Sequence, residues 1–182
     1  MTYRNLGEMY AANDAVAEKM DRVVRGLSAA QTRFHSSENA WSIGQVVEHV
    51  SLIEGQLVSL IVTLLKRTED AGKIRSATAP FEISVESQRE RSLREKYVTR
   101  EKYIPTGKPT AEESLNSLQR TRAQLQSLRP RLELIDCSFA SFPHWVFGTL
   151  TLGQWVAFIG LHAERHTGQI QSIMATPGFP KE

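Results

Sequence analysis

The sequence predicts an all-α protein, a four-helix bundle in which a long connection joins the second and third helices. Four segments repeat apolar residues at helical spacing. Three of them begin with a hydroxyl residue that is followed three positions later by Gln or Glu, which is typical of a capped helix start. No segment shows a strand pattern. A chain of 182 residues can bury one core, so we predict a single domain over residues 1–182.

The first two predicted helices occupy the N-terminal part of the chain. The first runs from about Asn5 to about Ala30, with apolar residues on one face. The second follows Ser42, which forms a predicted capping box with Gln45, and it ends near Arg67. Its apolar face is expected to lie in the core.

Residues 71–109 differ from the rest of the chain, because Gly, Pro and charged residues surround the basic run SQRERSLREKYVTREK. This run can hold a short helix. A connection of this length is either functional or a crossover along the whole bundle. Its basic residues are expected to form a solvated face, paired with Glu86, Glu90, Glu95 and Glu101, rather than a nucleic-acid patch.

The last two predicted helices follow this connection. Thr110 opens the third helix with a capping box, and Pro130 interrupts its leucine stripe. The aromatic loop CSFASFPHWVFG comes next. Thr151 and Gln154 then open the fourth helix, which ends before Pro177.

Composition limits the function classes. The formal net charge of +2 gives no strong field for nucleic acid or a membrane surface, so we expect neither as a partner. The polar N-terminus does not resemble a signal peptide, and the apolar runs look too short and interrupted to span a bilayer. The single cysteine, Cys137, excludes an internal disulfide and is expected to be a small buried residue. We expect a soluble cytoplasmic protein.

Two histidines in the fourth helix, His162 and His166, have the spacing of neighbours on one helical face. Their Cβ atoms should lie roughly 6 Å apart, close enough to share one metal ion. A zinc protease would carry a glutamate directly after the first histidine, where this chain has Ala163. The pair therefore favours a metal site without that hydrolytic glutamate.

His49 is the candidate third ligand, because it lies on the apolar face of the second helix, on the row of Gln45. It lies about 10 Å from one end of its helix, and the centre of the other pair lies about 15 Å from the end of theirs. Antiparallel packing would make the three histidines nearly level, and a long crossover produces that packing. The alternative is that all are structural core residues. His35 and His144 are weaker candidates, although His144 could line a pocket mouth.

Three motifs are the segment WSIGQVVEH at residues 41–49, the pair FG at 147–148 and the segment HAERHTGQ at 162–169. Together they resemble the DinB superfamily of small four-helix metalloproteins, which includes DinB/YfiT-like proteins and thiol-dependent S-transferases. The similarity extends over nearly the whole chain. The chain departs from many relatives in having Trp145, rather than proline, after His144. The matching positions are Trp41, Ser42 and His49; His162, Arg165, His166 and Gln169; and Phe147 and Gly148.

The resemblance implies an up-down-down-up bundle, a homodimer, and a metal bound by His49, His162 and His166. Gln169 shares the histidine face and could orient a ligand or a metal-bound water. Gln45, on the row of His49, is a further candidate for the surroundings of the metal. Arg165 could bind an acidic substrate group or form an ion pair with a neighbouring helix.

Two acidic residues of the second helix are further candidates for supporting the metal ligands. Glu48 and Glu54 could act as second-shell partners, with solvation as the alternative for Glu48.

Three imidazoles without an evident fourth protein ligand are typical of an open catalytic metal site. Zinc or nickel suits these nitrogen ligands best, and iron, copper or manganese can also bind them. The resemblance favours transfer of a small thiol, such as bacillithiol, mycothiol or glutathione, to an electrophile. Metal-assisted hydrolysis is the enzymatic alternative. The non-enzymatic alternative is a metal-binding stress or interaction protein. The sequence assigns no catalytic side chain.

Overall fold

The computed structural model describes residues 1–76, 80–95 and 97–181. The long helices of this part of the chain are α1 (Leu6–Arg25), α3 (Ile43–Asp70), α5 (Ala111–Leu132) and α6 (Leu152–Met174). The shorter elements are α2 (Ala29–Arg33), α4 (Glu86–Arg94), a 3-10 turn (Glu101–Tyr103), and the strands β1 (Thr2–Tyr3), β2 (Ile83–Ser84), β3 (Ser141–His144) and β4 (Gly148–Thr151).

The core has two layers of buried apolar side chains, stacked along the bundle axis. One layer combines the first halves of α1 and α6 with the second halves of α3 and α5. The other layer combines the opposite halves of the same helices. Helices α1 and α6 therefore run one way, and α3 and α5 run the other way. This arrangement confirms the predicted up-down-down-up bundle.

The segment between α3 and α5 is the crossover that this topology requires. Because α3 and α5 are parallel, the chain must return along the whole bundle before α5 begins. Helix α4 lies in this segment, as predicted for the basic run, and it packs against α6. The 3-10 turn contacts α3, so the crossover lies against both helices that carry the candidate histidines.

The predicted capping boxes are present at Ser42, Thr110 and Thr151. The first helix is shorter than predicted, because α1 ends at Arg25 and the chain then forms the separate helix α2 behind a new cap at Ser28. The second predicted helix is longer, since α3 continues to Asp70.

The expectation that the chain has no strands is wrong. Strand β1 pairs with β2 in an antiparallel ribbon, which ties the crossover to the N-terminus. Strands β3 and β4 form an antiparallel hairpin in the aromatic loop. Strands of two to four residues are too short to show the period-two pattern by which strands are predicted.

Helix α3 is long and apolar enough to cross a membrane by length and composition, which corrects the expectation drawn from the apolar runs. Half of its most apolar stretch is buried inside the protein. Glu48, His49 and Glu54 are also buried in this helix, where it packs against α5 and α6. These are properties of the core helix of a soluble bundle.

Candidate metal centre

The structure brings His49 of α3 together with His162 and His166 of α6. The centroid of the His49 ring lies 5.3 Å from that of the His162 ring and 4.9 Å from that of the His166 ring. The centroids of the two α6 rings are 4.5 Å apart. One ligand nitrogen from each side chain lies within 4.8 Å of the other two. The antiparallel packing of α3 and α6 places the three imidazoles at one level, close enough to share an ion.

Burial favours the neutral form of all three imidazoles. Burial lowers the pKa of His162 well below its usual range, and the neighbouring His166 and His49 lower it further. Burial also lowers the pKa of His166 to about 3. The pKa of His49 is lowered by burial, which outweighs the opposing hydrogen bond to the Tyr103 carbonyl. Neutral imidazole is the form that binds a metal.

Hydrogen bonds orient two of the rings. The Nδ1 atom of His49 lies 2.8 Å from the carbonyl oxygen of Tyr103, and Nδ1 of His166 lies 2.8 Å from Oε1 of Gln169. Because a carbonyl oxygen only accepts, Nδ1 of each ring is the protonated nitrogen. The Nε2 lone pair of each ring is then free for a ligand, which is the usual arrangement around metal-binding histidines.

His162 differs from the other two, because its buried Nδ1 has no hydrogen-bond partner among the described residues. A buried polar nitrogen without a partner costs free energy, roughly 1 to 3 kcal/mol. A metal ion bound by His162 through this nitrogen would supply the partner that it lacks. The donor set of three imidazoles fits a borderline divalent cation such as zinc or nickel.

Aromatic rings surround the centre. Trp41 lies 4.9 Å from the His49 ring, and Phe158 lies 6.2 Å from the His162 ring. Phe158 also contacts His144 in the β3–β4 hairpin, at a centroid distance of 5.0 Å. Beyond it, Trp145 is 53% exposed. A continuous aromatic wall therefore runs from the centre to the surface.

The residues proposed to support the metal ligands take different positions. Gln169 lies directly behind His166, as described above. Arg165 donates to the carbonyl of Ser92 and lies over the ring of Tyr97, so it holds the crossover against α6. Gln45 accepts from the backbone N–H of Ser42 in the helix cap.

His144 belongs to the hairpin turn. Its Nδ1 accepts from the backbone N–H groups of Val146 and Phe147, at 3.1 and 3.3 Å. Burial lowers the pKa of His144 to about 4, and Arg100 contributes to the same shift. The neutral ring stacks on Phe147 in the aromatic wall.

Glu48 is buried, and the crossover binds it. Its carboxylate accepts hydrogen bonds from the backbone N–H and the hydroxyl of Thr106, at 2.8 and 2.7 Å, and from the N–H of Gly107, at 2.8 Å. The alternative that Glu48 is simply solvated is therefore wrong. Its adjacent residue, His49, contacts the same segment through Tyr103.

Two other carboxylates of α3 and α6 are engaged in ion pairs. Glu54 is fully buried and forms a bidentate pair with Arg122 of α5. Glu164 forms a bidentate pair with Arg89 of α4. Neither carboxylate is left without a cationic partner.

Cys137 and His35 lie outside the centre. Cys137 is buried, as expected, and burial raises the pKa of its thiol to about 12, which makes it a poor nucleophile. His35 is exposed in the connection before α3 and bonds to the carbonyl of Ala40.

Local patterns in the sequence indicated only part of this surrounding structure. Trp41 is conspicuous beside the Ser42 cap, but its contact with the His49 ring, eight residues further along, has no local sequence signal. The Tyr103 carbonyl is a backbone group and has no side-chain signature. Phe158 fits a helical core stripe as well as it fits the wall of a site.

Comparison with known proteins agrees with this architecture. YuaE of Bacillus subtilis (strain 168) is 27% identical over 167 residues, which cover 88% of this chain and 93% of YuaE. The crystal structure of TT2238, a four-helix bundle protein, matches with a TM-score of 0.60 at 21% identity, covering 92% of this chain and 99% of TT2238.

YfiT from Bacillus subtilis is described as a probable metal-dependent hydrolase with an unusual four-helix bundle topology. It matches with a TM-score of 0.62 at 16% identity, covering 96% of this chain and 88% of the YfiT chain. The sequence model of the DinB superfamily matches residues 12–170, which include all three histidines of the centre. The chain therefore belongs to the DinB superfamily.

Proposed function

We propose that this protein is a metal-dependent enzyme that transfers a low-molecular-weight thiol to an electrophilic substrate. The observation that carries the proposal is the cluster of three neutral imidazoles whose ligand nitrogens lie within 4.8 Å of one another. His49, His162 and His166 would hold a divalent ion, with zinc or nickel the best match. When bound, such an ion supplies a Lewis acid that lowers the pKa of a coordinated thiol or water.

The carboxylates that lie close to the histidines in the chain favour a thiol over water as the nucleophile. Glu48 is bound by the crossover, Glu54 by Arg122, and Glu164 by Arg89. None of these three is free to accept a proton from an attacking water. A thiol has an ordinary pKa of about 8.5 and needs much less assistance to become a nucleophile at neutral pH.

The residues of the chain hold and shield the reacting groups. Tyr103 and Gln169 fix the orientations of His49 and His166. Trp41 and Phe158 cover the imidazoles with apolar surface, which limits the access of water. The nucleophile has to come from outside, because the buried Cys137 thiol has its pKa raised to about 12.

Metal-assisted hydrolysis is the second candidate function. The fold similarity to YfiT, described as a probable metal-dependent hydrolase, favours it. The same three histidines would hold the ion. The two reactions differ in whether a thiol is incorporated into the product.

In the deciding experiment, zinc-loaded protein is incubated with the electrophile chlorodinitrobenzene in three separate reactions. Each reaction contains one thiol: bacillithiol, mycothiol or glutathione. We expect conjugation with one thiol, which disappears after chelation and in His166→Ala but persists in the matched control His35→Ala. A parallel assay follows hydrolysis of a nitrophenyl ester. Metal-dependent ester hydrolysis without conjugation of any thiol would reject thiol transfer in favour of the hydrolase.

A further inference from the structure

Two adjacent residues of α3 bind the same short stretch of the crossover. His49 bonds through Nδ1 to the carbonyl of Tyr103 at 2.8 Å. The Glu48 carboxylate accepts from Thr106 and Gly107, three residues further along the chain. Glu48 and His49 are each only 5% exposed. A ligand candidate and a buried charge are thus joined through one loop.

The bonds to Glu48 are the strong ones in this loop. Hydrogen bonds from neutral donors to a carboxylate are roughly twice as strong as those between neutral groups. Three of them converge on Glu48, which compensates for burying its charge. The hydroxyl of Thr106 in turn accepts from the N–H of Lys108 at 3.2 Å, which closes the loop on itself.

The backbone of the loop is shaped for this contact. Gly107 has a φ of +70°, a conformation that L side chains rarely adopt, and this turns its N–H towards Glu48. Pro105 is buried between the two contact points, and its ring fixes its own φ. The position of the Tyr103 carbonyl therefore depends on where Glu48 holds the next turn of the chain.

That carbonyl decides which nitrogen of His49 is available to an ion. With Nδ1–H donating to Tyr103, the Nε2 lone pair is free to face His162 and His166. If the carbonyl moves away, the ring loses the contact that selects this tautomer. Groups that orient a ligating histidine in this way typically contribute about 10- to 100-fold to metal affinity.

We infer that Glu48 is a positioning residue of the three-histidine centre: it anchors the crossover at Thr106 and Gly107, and so holds the Tyr103 carbonyl that selects the metal-binding tautomer of His49. The inference rests on the metal centre of the proposed function and is independent of thiol transfer. It also makes the crossover a structural part of the centre.

The test compares the full-length protein with Glu48→Gln, which keeps the size of the side chain and removes its charge. The matched control is Glu69→Gln, since Glu69 lies in the same helix and pairs with Arg131 far from the histidines. We expect zinc affinity to fall about 10- to 100-fold in Glu48→Gln and to stay unchanged in the control. Hydrogen exchange at Gly107 should accelerate only in Glu48→Gln.

A second measurement needs no metal. Nitrogen NMR of the histidine rings in metal-free protein reports which nitrogen of His49 carries the proton. We expect Nδ1–H in the unmodified protein and a growing share of Nε2–H in Glu48→Gln. If the unmodified protein binds no zinc, the proposed function fails, and this measurement still decides the role of Glu48.

A Glu48→Gln variant that folds, binds zinc as the unmodified protein does and keeps the His49 tautomer would overturn the inference. If that variant does not fold, Thr106→Val replaces it, because this change keeps both backbone bonds to Glu48 and removes the hydroxyl, with its bonds to Glu48 and to the N–H of Lys108. We then expect a smaller loss of zinc affinity together with faster exchange at Gly107. Unchanged affinity and exchange in Thr106→Val would equally overturn the inference.

Discussion

The carboxylate of Glu54 accepts two hydrogen bonds from the guanidinium of Arg122, at 3.0 and 2.8 Å, in the interface between α3 and α5. The Glu54 side chain is fully buried, and that of Arg122 is 17% exposed. Burial raises the pKa of the Glu54 carboxyl, and the Arg122 guanidinium opposes this rise. The pair therefore compensates a charge that would otherwise be isolated in the core.

Removing the cation of this pair should strongly destabilise the protein. We expect Arg122→Ala to lower the free energy of unfolding by about 3–5 kcal/mol, because it leaves the Glu54 carboxylate buried and unpaired. Urea denaturation measures the change. Arg131→Ala is the matched control, since it breaks the solvent-exposed pair with Glu69 in the same interface and should change stability only slightly. Equal losses of stability in the two variants would contradict the expectation that the buried ion pair contributes more than the exposed one.

Metal content tests the histidine centre. We expect His49→Ala and His166→Ala each to lose most of the bound metal, because two imidazoles hold a divalent ion much more weakly than three. Elemental analysis of the purified proteins gives the stoichiometry. His35→Ala should retain the full content, as His35 lies in the connection before α3. Full stoichiometry in both site variants would exclude these residues as the ligands.

The stability of the metal-free protein should depend on pH through the buried imidazoles. Burial lowers the pKa of His166 from 6.5 to about 3, so between these values the unfolded chain binds a proton that the folded chain does not. Stability therefore falls as the pH falls, by about 2 kcal/mol from pH 7 to pH 5 for this residue. Urea denaturation at both pH values measures it. The stability of His166→Gln should fall less between pH 7 and pH 5. An equal fall in both proteins would contradict the lowered pKa of His166.

Two glycines of α6 should respond oppositely to alanine. At Gly160 an added Cβ would collide with the amide oxygen of Asn13 on α1, whereas at Gly168 nothing lies within 4 Å. We expect Gly160→Ala to destabilise the protein by about 1–3 kcal/mol and Gly168→Ala to stabilise it by about 0.5–1 kcal/mol. Thermal unfolding monitored by circular dichroism compares them. A stabilising Gly160→Ala would mean that α1 and α6 are less closely packed.

Local signals made much of the bundle predictable. The caps at Ser42, Thr110 and Thr151 depend on residues three positions apart, so their contacts lie within one turn of helix. The antiparallel relation of the helices bearing His49 and His162 followed from the length of the connection, which sets the topology. Such features need no knowledge of the rest of the chain.

Contacts between distant segments were not predictable from local patterns. Glu54 was a candidate partner of the metal ligands, yet it pairs with Arg122, 68 positions away. Glu48 has the helical position of a surface residue, and it is buried only because the crossover folds over it. The 3-10 turn that delivers the Tyr103 carbonyl has no periodic signal of its own.

The choice of packing partners among the helices has a consequence for the folding rate. Helices α1 and α3 each pack chiefly against α5 and α6. The pairs joined by the shorter connections, α1 with α3 and α5 with α6, are therefore not the main packing partners. Helices α3 and α5, which do pack against each other, are separated in the chain by the crossover. Every major interface thus joins segments far apart in the chain, which gives a high contact order. We expect slower folding than in an up-and-down bundle of equal length, whose helical hairpins form locally.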